Sequence, residues 1–327
     1  MSAVLESILS LAVPASTPLL LGCMGAIISE RSGVLNLGIE GTMAVGALAA
    51  FITAGMTGSP WLGLFVALIA GMVFVSLLAI FSVSLKSDQV ITGVMLSLLG
   101  VALTTYFGRP WTGRSVETFD TVVIPVIGEA LIDLPVVGRA LFQNTPIDYL
   151  AIAVVPAVWY FLFRTDIGME ITAVGDDPET ADTMSIDVTR TRYLCVLLSG
   201  LLAGAAGAAV SLSFAELWTA NLINNRGWIA VALVIVAQWN PARAVGGAYL
   251  FGIIYAMQFR VQSIDFGTIM PLSGELGSVY NFIFHPVIMS TYPYVITILV
   301  LVLTTRTTRK ELAAPQALVE PYMREDS

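Results

Sequence analysis

Charge is scarce in this sequence. Only 12% of its 327 residues are Asp, Glu, Lys or Arg, about half of the ~25% found in soluble domains. That scarcity excludes an ordinary cytosolic enzyme. It also excludes disorder, which needs low hydrophobicity and high net charge. Lysine is nearly missing, with Lys86 and Lys310 the two copies, and no basic stripe exists. Nucleic-acid binding is therefore not expected. Histidine occurs once, as His285, so neither a zinc site of the usual kind nor a Ser-His-Asp triad is expected. The two cysteines, Cys23 and Cys195, lie inside apolar segments. They read as small hydrophobes and not as a disulfide framework. No G-x-x-x-x-G-K-[ST] run is present, so the chain lacks that nucleotide-hydrolysing machinery. No basic n-region with a small-residue cleavage site opens the chain, and the first apolar stretch is expected to stay as a span.

What fills the sequence is apolar. Hydrophobic residues make up 57%, and the mean hydropathy is +0.85. A helix needs about 20 apolar residues to cross a bilayer. That rule predicts an all-α polytopic membrane protein with about 9 transmembrane helices, in a range of roughly 8–10. The predicted spans are Val4–Ile28, Leu37–Ala54, Trp61–Leu85, Val90–Phe107, Ile147–Phe163, Tyr193–Phe214, Gly227–Trp239, Ala244–Phe259 and Val287–Leu303. The first contains Pro14 and Pro18, which membrane helices tolerate where neighbours satisfy the freed carbonyls. The seventh is short, so it either begins earlier or is a broken helix lining a cavity. Residues 1–303 form one transmembrane domain, with non-apolar loops at 108–146 and 260–286, a polar segment at 164–192, and a tail at 304–327. The middle of the first loop is a candidate short hairpin.

The positive-inside rule orients the chain. Ten of the 15 basic residues fall on the side of the 164–192 segment and the tail; Arg109, Arg114, Arg139, Arg226 and Arg260 fall on the other. The first side is then cytoplasmic, with the N-terminus outside and the C-terminus inside. The net charge of −8 comes mostly from loops and tail, around Asp166–Asp187 and Glu320–Asp326. An acidic, lysine-poor surface suits a salty cytoplasm, and ordinary solvated loops would look the same. Gly200, Gly204 and Ala208 share one helix face, and Gly93, Gly100, Gly246 and Gly247 add further small residues. These predict close helix packing.

Three stretches stand out chemically. Glu30–Met43, reading ERSGVLNLGIEGTM, is a polar, glycine-rich break between two spans. Glu40 falls at a helix start. An intramembrane acid is a functional suspect, while a helix N-terminus also favours a carboxylate; the sequence leaves both open. In Gly168–Arg192, Asp177 is a natural N-cap, with Pro178 at the first helical position and Glu179 in the first turn. A short helix, about Pro178–Met184, is predicted, with Met184 and Ile186 as an exposed apolar edge. Such a helix suggests docking to a partner, or a merely solvated loop. In Asn221–Trp239, the residues Asn224, Asn225 and Arg226 are placed to line an outer vestibule, or to form an interfacial loop anchored by Trp228.

Together these stretches resemble the permease family of ABC importers that serves ribose-type sugars, branched-chain amino acids and nucleosides. The likeness runs from about Thr17 to Leu303. It is carried by SERSGVLNLGIEGTMAVGA (Ser29–Ala47), by AVGDDPETADTMSIDVTRTRYLCVLLSGLLAGAAGA (Ala173–Ala208), by NRGWIAVALVIVAQWNPARAVGGAYLFG (Asn225–Gly252) and by YPYVITILVLVL (Tyr292–Leu303). The first is similar to the start of the shorter permease of the nucleoside branch. Ala237-Gln238-Trp239 departs from the small or basic residues expected there. The resemblance implies a fold of the vitamin B12-importer (type II) kind, without the additional N-terminal helix of ten-helix members. It implies that Asp177–Ile186 is the coupling helix, with Gly175, Asp176, Asp177, Pro178, Glu179, Thr180, Ala181, Met184 and Ile186 facing an ATPase. It places Asn36, Glu40, Asn221, Asn224 and Arg226 near a pathway or gate.

The function expected is that of a permease subunit in the cell membrane that performs no chemistry. ATP and Mg would be bound by partner ATPase subunits, with no cofactor on this chain. A second, unlike permease would complete the pore, and an external solute-binding protein would deliver the cargo. Nucleosides rank first as cargo and simple sugars second. An ion-coupled secondary transporter using Glu40 is the rival mechanism.

Overall fold

The computed structural model describes residues 2–123, 138–215, 217–263 and 314–322, with isolated positions between 288 and 302. Among these residues the chain is helical, with one two-residue antiparallel pairing. Helices α1 (Ser2–Arg31), α2 (Ile39–Thr57), α3 (Pro60–Ala79) and α4 (Gln89–Phe107) come first. A one-turn helix α5 (Gly138–Phe142) precedes α6 (Pro146–Arg164), α7 (Asp166–Asp176), α8 (Pro178–Thr183), α9 (Val188–Ala209), α10 (Arg226–Ala237) and α11 (Pro241–Ser263). Both α3 and α9 run on into a π-helical turn, Ile80–Ser84 and Val210–Phe214. The pairing joins β1 (Val122–Val123) to β2 (Gln143–Asn144) across the first long loop, with α5 between them; the middle of that loop, where a short hairpin was expected, lies outside the described residues. The ninth expected span, Val287–Leu303, lies mostly outside the described residues, as do 264–287 with His285.

Local chemistry sets the helix ends. Ser59 and Pro60 open α3, after Gly58 closes α2 in the left-handed conformation at φ 66°. The Asp88 carboxylate accepts from the Ile91 amide at 2.8 Å to start α4. Thr145 and Asp148 form a reciprocal capping box at the start of α6. Asp187 caps α9, accepting from Arg190 N at 2.9 Å. Each cap satisfies amide donors that a helix start otherwise leaves open.

Six helices are long and apolar enough to cross a membrane: α1, α2, α3 and α9 with their π turns, α4 and α6. They match the first six predicted spans. The expected seventh and eighth correspond to α10 and α11, and α10 has only 12 residues. At 1.5 Å per residue it reaches roughly 18 Å, well short of a ~30 Å hydrocarbon core. It is a broken helix, the second of the two readings that its sequence allowed.

The centre of the fold is α9, packed against α1, α2 and α3, while α11 and α10 cover another side of α1. Leu20, Leu21, Met24 and Ile27 of α1 are fully buried. In contrast, α4 turns Ile91, Met95, Leu98 and Phe107 outward. In a bilayer such a face meets lipid at no hydrophobic cost. Close approach at the centre depends on missing side chains. A Cβ on Gly204 would sit 2.2 Å from the Ala67 carbonyl oxygen, and one on Gly71 would sit 2.3 Å from that of Gly200. The small-residue face of α9 thus brings three backbones together, as its spacing suggested. Gly204→Ala is expected to lower stability by about 1–3 kcal/mol through overpacking. Thermal unfolding in detergent checks this against Gly246→Ala, where nothing lies within 4 Å of an added Cβ.

Candidate functional site

The site begins at the break between α1 and α2. Its backbone has no helix to satisfy it, so side chains and neighbours do so instead. Ser29 donates to the Val34 carbonyl at 2.8 Å and Ser32 to the Ser29 carbonyl at 2.7 Å. The Leu35 amide donates to Gln89 at 2.8 Å, and Ser97 donates to the Leu37 carbonyl at 2.6 Å. Asn36 is fully buried; it accepts from Gly38 N at 2.9 Å and donates to Ser199 on α9 at 3.0 Å. The break turns back along α1. A Cβ on Gly22 would meet Ala230 of α10 at 3.1 Å and Ile39 of α2 at 3.7 Å. Gly22 lies nine residues before the end of α1, roughly 13 Å along it. The starts of α2 and α10 therefore meet at a level inside the membrane span.

Glu40 holds that meeting point. It is 3% exposed. One carboxylate oxygen accepts from Asn225 N at 2.9 Å and the other from Gly227 N at 2.6 Å. The sequence left open whether Glu40 is an intramembrane acid or a cap on its own helix. The geometry is a third case: a buried acid that caps α10, the neighbouring broken helix. Two opened amides thereby gain side-chain acceptors at the start of the helix. Gly227 is required for the approach, since a Cβ there would sit 2.4 Å from the Cα of Glu40. The preceding loop bends tightly through Asn221, Asn224 and Asn225, all at positive φ of 50–64°. Asparagine tolerates that region better than most residues.

The other end of α10 is held by the same break. Gln238 and Trp239 both sit at φ 53° and end the helix. The Trp239 indole donates to Glu30 at 2.7 Å, and Arg31 donates to the Trp239 carbonyl at 3.3 Å. Arg243 donates to Gln238. The Gln238-Trp239 pair, which departs from the family pattern, is thus a structural latch. Glu30 and Trp239 were not among the candidate residues. The signal that could have found them is an acid ten residues before Glu40, together with a Trp beside a helix-ending Asn-Pro.

A cleft of about 350 Å³ opens beside the α10 start, lined by Phe214, Thr219, Asn221, Asn224, Arg226 and Tyr255. Arg226 is 5% exposed. It donates to the Leu222 and Ile223 carbonyls at 3.2 and 3.1 Å and to the Tyr255 hydroxyl at 2.8 Å. Its guanidinium also lies 4.7 Å from the ring centroids of both Phe214 and Tyr255. The structure therefore brings Asn221, Asn224 and Arg226 to one cleft. Glu40 and Asn36 are not in its lining: Glu40 holds the α10 start and Asn36 braces the break. A second missed acid is Asp148, 1% exposed, which accepts from Thr17 at 2.5 Å and from Thr145 at 2.6 Å. Its sequence signal was the capping box Thr145-Pro-Ile-Asp148.

At the other candidate region, α7 and α8 replace the expected polar segment with one short helix. The sequence reading missed α7, though Thr165 caps it by accepting from Gly168 N at 3.1 Å. The α8 helix ends at Thr183, with Met184 as its C-cap. Asp177 caps α8: Thr180 donates to it from its amide at 3.0 Å and its hydroxyl at 2.6 Å. These bonds hold the Asp177 carboxyl below the usual carboxylate range. Met184 is 73% exposed, as its position suggested. Ile186 is only half-exposed and packs on a small cluster of Val174, Ala181 and Val188, because the chain folds back beneath α8. Asp176, Pro178, Glu179 and Thr180 lie around the exposed edge, while Gly175 and Ala181 are buried.

A helical membrane protein with a broken helix beside a polar cleft, and a capped helix projecting between two spans, has the parts of a solute translocator. The chain belongs to the family described as branched-chain amino acid transport system / permease component, which matches residues 7–305. It is 50% identical over 321 residues to the putative glucose ABC transporter permease protein TsgC13 of Haloferax volcanii, covering 97% of this chain and 98% of that one. It is 34% identical to the guanosine ABC transporter permease protein NupQ of Bacillus subtilis, over 90% of this chain and 92% of that one. For the nucleoside ABC transporter permease protein NupC of Lactococcus lactis the figures are 33%, 88% and 89%. No solved structure matches. The chain is a multi-pass membrane permease subunit of an ABC importer, and it has no ATPase of its own. It works with ATPase and solute-binding partners. The ion-coupled alternative falls with this assignment.

The clamp on α10 makes a direct prediction. Glu40→Ala leaves two buried amides without an acceptor and is expected to destabilise the protein by about 1–3 kcal/mol. Glu40→Gln keeps one acceptor oxygen and is expected to fall between Glu40→Ala and the wild type. Thermal midpoints of the purified proteins check the order.

Proposed function

We propose that this permease imports a small polyhydroxy solute, with a simple sugar first and a nucleoside second. The sequence by itself ranked these the other way. The 50% identity to a putative glucose permease over nearly the whole chain supports the sugar; the guanosine and nucleoside permeases support the alternative. Both cargoes carry ring hydroxyls, and the cleft of Thr219, Asn221, Asn224 and Tyr255 offers matching hydroxyl and amide partners. Asn221, Asn224 and Arg226 form the pathway wall. Asn36 and Glu40 set its position by holding the α10 start.

The architecture we propose has nine spans with the N-terminus outside and the C-terminus inside. Residues 1–303 form the transmembrane domain, 108–146 and 260–286 the external loops, 164–192 the cytoplasmic coupling loop and 304–327 the tail. A second, unlike permease completes the pore. Two ATPase subunits, which hold the ATP and Mg, dock on α8 through Asp176, Asp177, Glu179, Thr180 and Met184. Their closure on ATP biases a two-state opening of the helices. The observation that carries the docking role is a capped, solvent-exposed helix whose base is buried by Gly175, Ala181 and the Val174 cluster.

Two measurements test the proposal. Labelled uptake of glucose, ribose, guanosine, uridine and leucine is compared in a deletion strain and its complemented parent, with and without a protonophore at fixed ATP. Loss of sugar uptake alone, insensitive to the protonophore, is expected. Loss of nucleoside uptake alone would select the second cargo. Asp177→Arg with Glu179→Arg is expected to abolish uptake while leaving the protein folded in the membrane. Wild-type uptake by that double variant would remove the docking role from α8.

A further inference from the structure

We propose that residues 315–322 form a strap that positions the coupling loop against the α1–α2 break, and that transport requires the strap to be docked. The proposal rests on α8 being the helix that meets the ATPase. Three separate places receive the segment. The Ala317 amide donates to the Gly175 carbonyl, just ahead of α8, at 2.9 Å. The Val319 amide donates to the Gly33 carbonyl in the break at 3.3 Å. The Glu320 carbonyl accepts from Arg192, in the first turns of α9, at 3.2 Å.

The seat is built for a bare chain. Gly175 lies against α1 so closely that a Cβ would sit 2.0 Å from the Arg31 carbonyl oxygen. A Cβ on Gly33 would sit 3.2 Å from the Ala317 carbonyl oxygen. Ala317 is 4% exposed, Leu318 packs on the main core, and Tyr322 packs on the Val174, Ala181 and Val188 cluster beneath α8. Arg192 is itself 2% exposed, and its Nε and Nη2 atoms have no hydrogen-bond partner. The Glu320 carbonyl supplies an acceptor to a guanidinium that the rest of the fold leaves short of partners.

The strap also joins what must move together. Gly175 reports the position of α8, and Gly33 belongs to the break whose two acids hold both ends of α10. A displacement of α8 reaches the α10 clamp through these two backbone bonds and the Gly175–Arg31 contact. The chain carries one feature against docking. Val319 sits at φ 76°, a region that a β-branched residue adopts only under strain. Docking therefore has an adjustable balance at one residue.

That residue supplies the test. Val319→Gly relieves the strain and keeps the amide; Val319→Pro can neither adopt the angle nor donate. Each is assembled with its partner subunits in vesicles. Hydrogen exchange is read over residues 168–190, together with ATP hydrolysis and solute uptake. With Val319→Pro, exchange is expected to quicken by roughly tenfold, as one lost interaction of this kind implies. Uptake is expected to fall by a similar factor while ATP hydrolysis continues. With Val319→Gly, exchange slows and uptake persists. Ala317→Pro, which lacks the other amide, is expected to repeat the Val319→Pro result. Unchanged exchange in both proline variants would overturn the strap. Quickened exchange with wild-type uptake would overturn its role in transport. The Asp177→Arg, Glu179→Arg variant separates the two ideas: if it transports normally, the docking role of α8 fails, whatever exchange shows for the strap.

Discussion

A bilayer offers no water to unpaired amides and carbonyls, and this constraint governs the fold. Any backbone that leaves a helix within the membrane must be satisfied by protein. Here the chain does so twice at one level, at the start of α2 and the start of α10. One buried carboxylate serves the second start, and the Glu30–Trp239 bond latches the far end. Glu40 and Glu30 are ten residues apart on one break, and α10 lies between them. The short helix is thus set by the chain segment between α1 and α2 more than by its own sequence.

This arrangement separates a stiff part from an adjustable part. The α2, α3 and α9 backbones touch through glycine, with no side chains to repack, and so move as a body. The α10 segment is held through polar contacts at its ends. Its polar contacts can exchange partners, while Gly227 packed on Glu40 and the buried Ala230, Leu233 and Val234 fix where it sits. A polar cleft beside the adjustable part is where a passing solute would find partners that change with the state of the protein.

The first six spans were legible because each is a long apolar run bounded by a cap or a turn signal, such as Asp88 before α4 or Gly58-Ser59-Pro60 between α2 and α3. The α8 helix was legible for the same reason, from Asp177-Pro178-Glu179. The partner of Glu40 was not. Its amides lie 185 and 187 positions away in sequence, and no local pattern encodes that distance. Helix α7 escaped because its apolar face is short and its charges dominate the stretch. Asp148 escaped because a lone acid at a helix start looks like a cap, which it also is. The grouping of Asn221, Asn224 and Arg226 followed from their being close in sequence, whereas Tyr255 and Phe214 joined them only through the packing of α11 and α9.

The shortness of α10 bears on how the protein is made. A long apolar helix can partition into the bilayer on its own and find its neighbours later. A segment of 12 residues that opens on an arginine is a poor candidate for independent insertion. Its first amides are satisfied only once Glu40 is beside them. Its place therefore depends on α2, made much earlier in the chain, so this part of the permease is set by folding inside the membrane as well as by insertion.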